Sequence, residues 1–219
     1  MATTAYKPAS IPVFPPHANP AGDSVLHRLL QREPRRAELL WPVGFAGGIA
    51  HRLDVDTSGA ILIADDPNEL KKLRTAFADG HLTKTYRLLA SRTVPWNENS
   101  CDRPIAHDRR RRKRMIVQRG EHTPHRGRWH PATTHFHRLE GSLFEAVMHT
   151  GVMHQIRAHA AFLGIPIHGD RTYGGGADPS GHRLHHVGLS GPQGLHTEPI
   201  PLPEWAQTAA ERRANIVDF

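Results

Sequence analysis

The stretch HRLDVDTSG at residues 51–59 holds an arginine, two aspartates, a threonine and a serine within nine residues. Carboxylates such as those of Asp54 and Asp56 can act as nucleophiles or as acid–base groups, and a nearby arginine can hold them ionised. The stretch runs directly into AILIA at 60–64, an apolar run typical of a buried strand. Two interpretations follow: a charged turn that precedes a strand, or a catalytic loop held against a sheet.

The composition limits the classes of protein that can contain this stretch. With 219 residues the chain can bury a sizeable core, and a mean hydropathy of −0.51 describes a polar globular protein. No apolar run approaches the roughly 20 residues that cross a bilayer, and the first ten residues lack the apolar segment of a signal peptide. The single cysteine, Cys101, allows no internal disulfide and fits a reducing compartment. We therefore expect a cytoplasmic protein that does not enter membranes.

Positive charge is concentrated in one part of the chain. The net charge is +7 and the isoelectric point is near 10.2. Residues 103–138 contain eleven lysines and arginines against two acidic residues, so this basic segment carries +9 and the rest of the chain −2. The basic segment indicates a polyanionic partner, although charge alone does not separate nucleic acid from a membrane surface.

The apolar pattern predicts which elements position the opening stretch. Five prolines in the first twenty residues indicate an extended lead-in. Residues 101–131 show little periodicity, and we predict a loop or hairpin insertion there. The mixture of elements predicts an α+β fold in one domain, 1–219, with a mixed, largely antiparallel central sheet flanked by helices and loops. The predicted helices are 23–33, 66–80 and 154–164, and the predicted strands are 59–64, 83–90, 132–139 and 143–150.

Four ordered motifs carry a resemblance to a known family. They are YKPASIPVFP, HRLDVDTSG followed by KTYRLL, GVMHQIRAHAAFLGIPIHGDRTYGG, and RLHHVGLS. Together they resemble the RluA-type family of RNA pseudouridine synthases over nearly the whole chain. The resemblance implies the pseudouridine synthase fold with a catalytic cleft across its sheet, no cofactor, and ribosomal or transfer RNA as the partner of a monomeric protein.

The family reaction defines what its residues must do. Converting uridine to pseudouridine breaks the C1′–N1 bond, turns the uracil and rejoins it through C5, without net oxidation. The base must also leave its stack. The resemblance maps the essential aspartate onto Asp54, the tyrosine that stacks on the uracil onto Tyr86, and the arginine that pairs with the aspartate onto Arg157. Asp56 is interpreted as a turn cap, with a catalytic role left open.

The resemblance also implies contacts to RNA. Arg52 and His51 match a pair whose arginine enters the RNA helix where the flipped nucleotide has left, and Ile156 matches a residue beneath the uracil. The other predicted contacts are His154 and, through phosphates, Lys84 and Lys7.

Residues 109–114, here called the basic loop, read RRRRKR. They could form a solvated charged loop, a nuclear address or a phosphate-binding loop. Because the loop lies within a family insertion between strands, we interpret it as an RNA contact. Its residues are Arg109, Arg110, Arg111, Arg112, Lys113 and Arg114.

Eighteen histidines raise the question of a metal site. The HFH, HH and HQIRAH clusters lack metal-site spacing, since His154 and His159 are five positions apart and no carboxylate lies between them. We therefore predict no metal.

The sequence departs from the family pattern at three places. Val152 and Met153 stand where the family has Arg and Thr in its GRTHQIR motif, and Ser10 replaces the glycine of the first motif. Only six residues precede Lys7, so we expect the strand before it to be missing and no S4-type domain in front. Two alternatives remain: a catalytically silent RNA-binding relative or RNA chaperone, and a ribosome-assembly protein that uses only the basic segment.

Overall fold

The computed structural model describes residues 2–214, which fall into two compact units. The first unit contains the chain up to residue 84 together with residues 186–201, and the second contains residues 85–185 and those described after residue 201. The strands are β1 (Thr3–Lys7), β2 (Ser58–Ile63), β3 (Thr83–Leu89), β4 (Glu98–Cys101), β5 (Ile105–Asp108), β6 (Met115–Val117), β7 (His125–His130), β8 (Thr134–Glu140), β9 (Leu143–Met148) and β10 (Leu184–Ser190). The helices are α1 (Val25–Arg32), α2 (Pro67–Ala78), α3 (Gln155–Phe162) and α4 (Ala209–Ala214).

The first unit is built on strands in the order β1-β2-β10. Strands β1 and β2 are antiparallel, with Thr3 opposite Ile63 and Lys7 opposite Gly59. The expectation that a strand before Lys7 is missing is therefore wrong. The five residues of β1 are enough, because pairing starts at Thr3 and continues without a break along β2.

All six residues of β2 are buried, which explains its continuous run of small and apolar side chains. Leu62 packs in a core with Leu70 and Leu73 of α2 and with Leu82 and Leu189. Burying each of these leucines contributes about 1.5–3 kcal/mol. This core supports the strand that directly follows the HRLDVDT stretch.

The predicted helices of the first unit are confirmed. Ser24 caps α1 by accepting the N–H of His27 at 3.1 Å. Asp66 caps α2 by accepting the N–H groups of Asn68 and Glu69 at 2.7 and 2.9 Å, and Pro67 occupies the first turn.

The second unit contains strands in the order β3-β9-β8-β4 and a separate sheet in the order β6-β5-β7. Strands β8 and β9 form an antiparallel hairpin, and β4 pairs antiparallel with β8. The β6-β5-β7 sheet lies within the segment 101–131, which is more ordered than a single loop or hairpin. Its buried face joins a core with α3 through Ile105, Met115, Val117, Ala158 and Tyr173.

The α+β class is confirmed, and each strand pair described here is antiparallel. Strands β4 and β10 and helix α4 were not predicted. The α4 helix is tied to β3, because Arg87 donates to both carboxylate oxygens of Glu211 at 2.6 and 2.8 Å.

Within residues 2–214, none of the helices has the length and apolar character needed to span a bilayer.

Candidate active site

Asp54 lies on a tight turn that leads into β2. The N–H of Thr57 donates to the carbonyl of Asp54 at 3.1 Å and closes the turn. Asp54 and Asp56 are partly buried, whereas Arg52 and Val55 are exposed. The turn therefore carries two partly buried carboxylates and one exposed arginine directly before a buried strand.

A buried lysine holds this turn from behind. Lys7 is fully buried, and its ammonium donates to the carbonyl oxygens of Val55 and Thr57 at 2.7 Å each and of Pro8 at 2.9 Å. These three bonds use all three of its protons. The ammonium has no surface to offer to a phosphate, so a role in holding the Asp54 turn replaces the expected phosphate contact of Lys7.

The ammonium also sets the electrostatics of the turn. Burial lowers the pKa of Lys7 to about 8, while the negative charges of Asp56 and Asp54 act in the opposite direction. Lys7 therefore stays protonated at neutral pH. The turn that carries Asp54 and Asp56 therefore has a buried positive charge directly behind it.

Two neutral imidazoles form hydrogen bonds to the backbone of β2. His51 accepts the N–H of Leu62 at its Nε2 atom, at 3.1 Å, and burial lowers the pKa of His51 well below its usual value. The Nδ1 atom of His186 donates to the carbonyl of Ala60 at 2.6 Å, and burial lowers the pKa of His186 to about 4. The two rings meet edge to face at 5.4 Å. The contact of His51 with RNA stays a prediction beside this structural role.

Gly59 allows β10 to approach β2 at this point. With φ at +129°, a Cβ atom on Gly59 would lie 2.2 Å from the carbonyl oxygen of His186. The glycine that ends the HRLDVDTSG stretch is therefore required by packing, independently of any chemistry.

Lys84 and Tyr86 lie on the buried side of β3, at 8% and 6% exposure. The ammonium of Lys84 lies 5.2 Å from the centre of the Phe77 ring, and burial lowers the pKa of Lys84 to about 8. The phosphate contact of Lys84 and the stacking of Tyr86 on a uracil stay predictions.

In the second unit, Arg157 on α3 is held by a carboxylate that the sequence analysis did not single out. Its Nε and Nη2 atoms donate to the two oxygens of Asp170 at 2.7 and 3.0 Å, and both residues are buried. A two-point pair of this kind fixes the plane of the guanidinium. The pairing of Arg157 with Asp54 stays a prediction. Ile156, next to Arg157, is also buried.

Tyr173 connects Arg157 with the β6-β5-β7 sheet. Its ring centre lies 5.3 Å from the guanidinium carbon of Arg157, and its hydroxyl accepts the N–H of Met115 at 2.9 Å. The hydroxyl also lies 3.1 Å from Nδ1 of His154, which adopts a left-handed conformation, with φ of 55°, at the start of α3. Burial raises the pKa of Tyr173 to about 12, so its hydroxyl remains neutral.

The basic loop joins β5 to β6. Residues 109–113 are exposed, whereas Arg114 is partly buried and lies 5.5 Å from the centre of the Tyr173 ring. Asp108 holds the loop, since its Oδ1 accepts the N–H groups of Arg110 and Arg111 at 2.8 and 3.2 Å. Five adjacent positive side chains are therefore free to face a polyanion.

Comparison with known proteins decides the family. The model of the RNA pseudouridylate synthase family matches residues 3–162, which include Asp54, Tyr86 and Arg157. The chain belongs to this family. The resemblance drawn from the four motifs is confirmed.

Curated relatives carry the same family name. A chain of Chloroflexus aurantiacus named as an uncharacterized RNA pseudouridine synthase is 37% identical over 172 residues, covering 77% of this chain and 50% of that protein. A ribosomal large subunit pseudouridine synthase D of Haemophilus ducreyi is 33% identical over 178 residues, covering 79% of this chain and 50% of that protein. The chain thus spans about half the length of the curated relatives it matches.

Solved structures share the fold. Human RNA pseudouridylate synthase domain containing 1 superposes with a TM-score of 0.72 at 19% identity, covering 100% of this chain and 91% of that one. Human RNA pseudouridylate synthase domain containing 4 gives 0.69 at 21% identity, covering 94% and 87%. The pseudouridine synthase fold predicted from the motifs is therefore confirmed.

Asp170 and Tyr173 are the residues that sequence reasoning missed. Both lie in the GDRTYGG part of the third motif, and a buried arginine on an apolar helix is a signal that a carboxylate partner is needed. Gly175 in the same segment is required by packing, because a Cβ atom there would lie 1.6 Å from the carbonyl oxygen of Ile167.

In residues 2–214 we find no group of three or more His, Cys, Asp or Glu side chains arranged to hold a metal ion.

Proposed function

We propose that this chain isomerises uridine to pseudouridine in a structured RNA, ribosomal or transfer RNA, in the cytoplasm. The observation that carries the proposal is Asp54 on a turn clamped by the Lys7 ammonium, in a chain of this family. A buried ammonium behind a surface turn is unusual, because burying the charge costs several kcal/mol before its hydrogen bonds are counted.

In the proposed reaction the Asp54 carboxylate attacks C1′ of a uridine that has left its stack, and the electrons of the C1′–N1 bond move to N1. The freed uracil turns, and C5 forms the new bond to C1′ while the carboxylate leaves. The proton on C5 is then removed, with Tyr86 as its acceptor, and N1 gains a proton. Product and substrate are isomers at the same oxidation level, so the reaction as written requires no cofactor.

Arg157 is assigned to keep the Asp54 carboxylate ionised when the bound base excludes water. Asp170 and Tyr173 hold the guanidinium from two sides. Arg52, exposed two residues before Asp54, is assigned to enter the space that the flipped nucleotide leaves.

The substitution Arg157→Lys tests this assignment. Lysine keeps the charge but loses the two-point pair with Asp170, so the cation is no longer fixed in one plane. We expect the single-turnover rate to fall by about tenfold to a thousandfold, or about 1.4–4 kcal/mol of transition-state stabilisation. Arg171→Lys, at an exposed position of the same segment, is the matched control and should leave the rate unchanged. An unchanged rate for Arg157→Lys in folded protein would remove Arg157 from the mechanism.

The basic loop is assigned to RNA phosphates. Each phosphate contact releases counterions, so replacing Arg109, Arg110, Arg111 and Arg112 by glutamine should weaken RNA binding. It should also flatten the slope of log affinity against log salt concentration by up to about four times 0.7–0.9. The measurement is a binding titration at several salt concentrations, and the rate at saturating RNA should barely change. The control replaces four exposed cations elsewhere, Lys71, Lys72, Arg92 and Arg171, by glutamine. If the loop variant keeps the wild-type slope, as the control should, the phosphate contacts lie outside the basic loop, and the exposed Arg52 is the next position to test.

The proposed function itself is tested with ribosomal and transfer RNA labelled with tritium at C5 of uridine. Isomerisation releases that tritium into water, because C5 loses its hydrogen once it has bonded to C1′. We expect release from one of these RNAs and none from the same RNA without protein. A chain that binds both RNAs but releases no tritium would instead be a silent RNA-binding member of the family.

A further inference from the structure

An open cavity of about 470 Å³ lies beside the start of α3 in the second unit. Two histidines, His107 of β5 and His130 of β7, line it together with Met115, Val152 and Met153. Val152 and Met153 are the two positions that depart from the GRTHQIR pattern. The cavity therefore has an apolar wall at a place where the family pattern would supply an arginine and a threonine.

The wall of the cavity is fixed by a buried glutamine. The side chain of Gln155 accepts the N–H of Val152 at 3.1 Å and the hydroxyl of Thr150 at 2.8 Å. It donates in turn to the carbonyl of Thr133 at 2.9 Å. Because both ends of the amide are engaged, the segment from Thr150 to Val152 is held in place without a ligand. A preformed apolar cavity with a few polar groups is the usual form of a small-ligand site.

One polar atom in the lining lacks a partner. Nδ1 of His107 is shielded from solvent and makes no hydrogen bond within residues 2–214. Such atoms are rare in folded proteins, because an unpaired buried polar group loses its hydrogen bonds to water without replacement. His107 as a whole is only partly buried, so a molecule in the cavity can pack against its ring, although the shielded Nδ1 atom itself is out of reach.

The strand next to His107 presents positive charge at the edge of the same sheet. Arg126 lies opposite His107, and His130 lies opposite Ile105. Between these two pairs β7 has three residues, 127–129, whereas β5 has only one. The extra residues form a bulge at Gly127, whose φ is +74°, and both Arg126 and Arg128 are exposed. A bulge of this kind turns side chains away from the regular pleat. Here it displays guanidinium groups on the strand that also supplies His130.

From this combination we infer that the cavity binds one unpaired nucleobase of the RNA substrate, other than the target uridine, while Arg126 and Arg128 contact its phosphates. Imidazole rings and thioether groups suit the face of a base, and exposed arginines suit the backbone. The inference rests on the proposed function for the identity of the partner. Tyr86 and Arg157, the proposed catalytic residues of this unit, are not part of the lining. Met115 of the lining is hydrogen-bonded through its backbone to Tyr173, which packs on Arg157, so an occupied cavity would support the same region.

The test compares two RNA octamers with equal numbers of phosphates, one of adenosine and one with abasic ribose at every position. Affinities are measured by fluorescence anisotropy for the wild type and for Val152→Phe, which fills the cavity. We expect Val152→Phe to reduce the preference for the base-carrying octamer by about tenfold, while affinity for the abasic octamer is unchanged. His107→Ala should act in the same direction, and it breaks no hydrogen bond at Nδ1. Val43→Phe, at a fully exposed valine, is the matched control.

The outcomes separate this inference from the proposed function. If the wild type releases tritium from RNA but folded Val152→Phe and His107→Ala keep the full base preference, the cavity does not bind a base and the catalytic proposal stands. If both variants lose the preference in a chain that releases no tritium, the cavity inference stands and the catalytic proposal fails. A wild type that binds the two octamers equally overturns the inference.

Discussion

Asp54→Asn is expected to abolish pseudouridine formation, lowering the rate by about a thousandfold or more. The amide keeps the size of the side chain but cannot attack C1′ as a carboxylate does. Because the turn is closed by the backbone bond from Thr57 and held by Lys7, the variant should fold normally. Its affinity for RNA should also stay close to that of the wild type. The measurement is the single-turnover rate of tritium release.

Asp56→Asn is the matched control, because Asp56 lies on the same turn and also acts electrostatically on Lys7. It should retain most of the wild-type rate. Equal loss in the two variants would move the nucleophile or make both carboxylates essential. Substantial turnover by Asp54→Asn would contradict the assignment outright.

Lys7→Met is expected to lower the free energy of unfolding by about 2–4 kcal/mol. Methionine fills a similar volume but leaves the carbonyl groups of Pro8, Val55 and Thr57 without their donor in a buried place. The turn that carries Asp54 should loosen with them, so the rate should fall in the fraction that remains folded. Denaturant unfolding measures the first effect, and tritium release below the unfolding midpoint measures the second.

Lys72→Met provides the control, since Lys72 is exposed on α2 in the same unit. Its stability should match that of the wild type to within about 0.5 kcal/mol. A Lys7→Met variant with wild-type stability but weakened RNA binding would restore the phosphate contact that the sequence motif suggested.

Local sequence predicted the elements whose signals are local. The apolar run of β2 and the Asp66–Pro67 start of α2 each depend on a few adjacent residues, and the structure confirms both. Strand β4, with the sequence ENSC, was missed because three of its four side chains are exposed and nothing alternates. Strand β1 was judged too short to form, but its stability comes from pairing with β2, about fifty residues away in sequence.

The motifs name candidate site residues, but they do not reveal the groups that support those residues. The motifs singled out Asp54 and Arg157 by resemblance alone. The partners that hold them, Lys7 beneath the turn and Asp170 beside the guanidinium, depend on three-dimensional contacts between distant segments. Lysine and aspartate are also common surface residues, so their burial could not be read from residue type. For Lys7 this led to the wrong expectation of a phosphate contact.

The central claim is that this chain makes pseudouridine with Asp54. The most direct test is pseudouridine mapping of total cellular RNA from cells that lack the protein, supplied with either the wild-type chain or Asp54→Asn. We predict that at least one uridine of ribosomal or transfer RNA is unmodified without the protein, regains pseudouridine with the wild type, and stays uridine with Asp54→Asn. Identical maps in all three samples, or full restoration by Asp54→Asn, would contradict the claim.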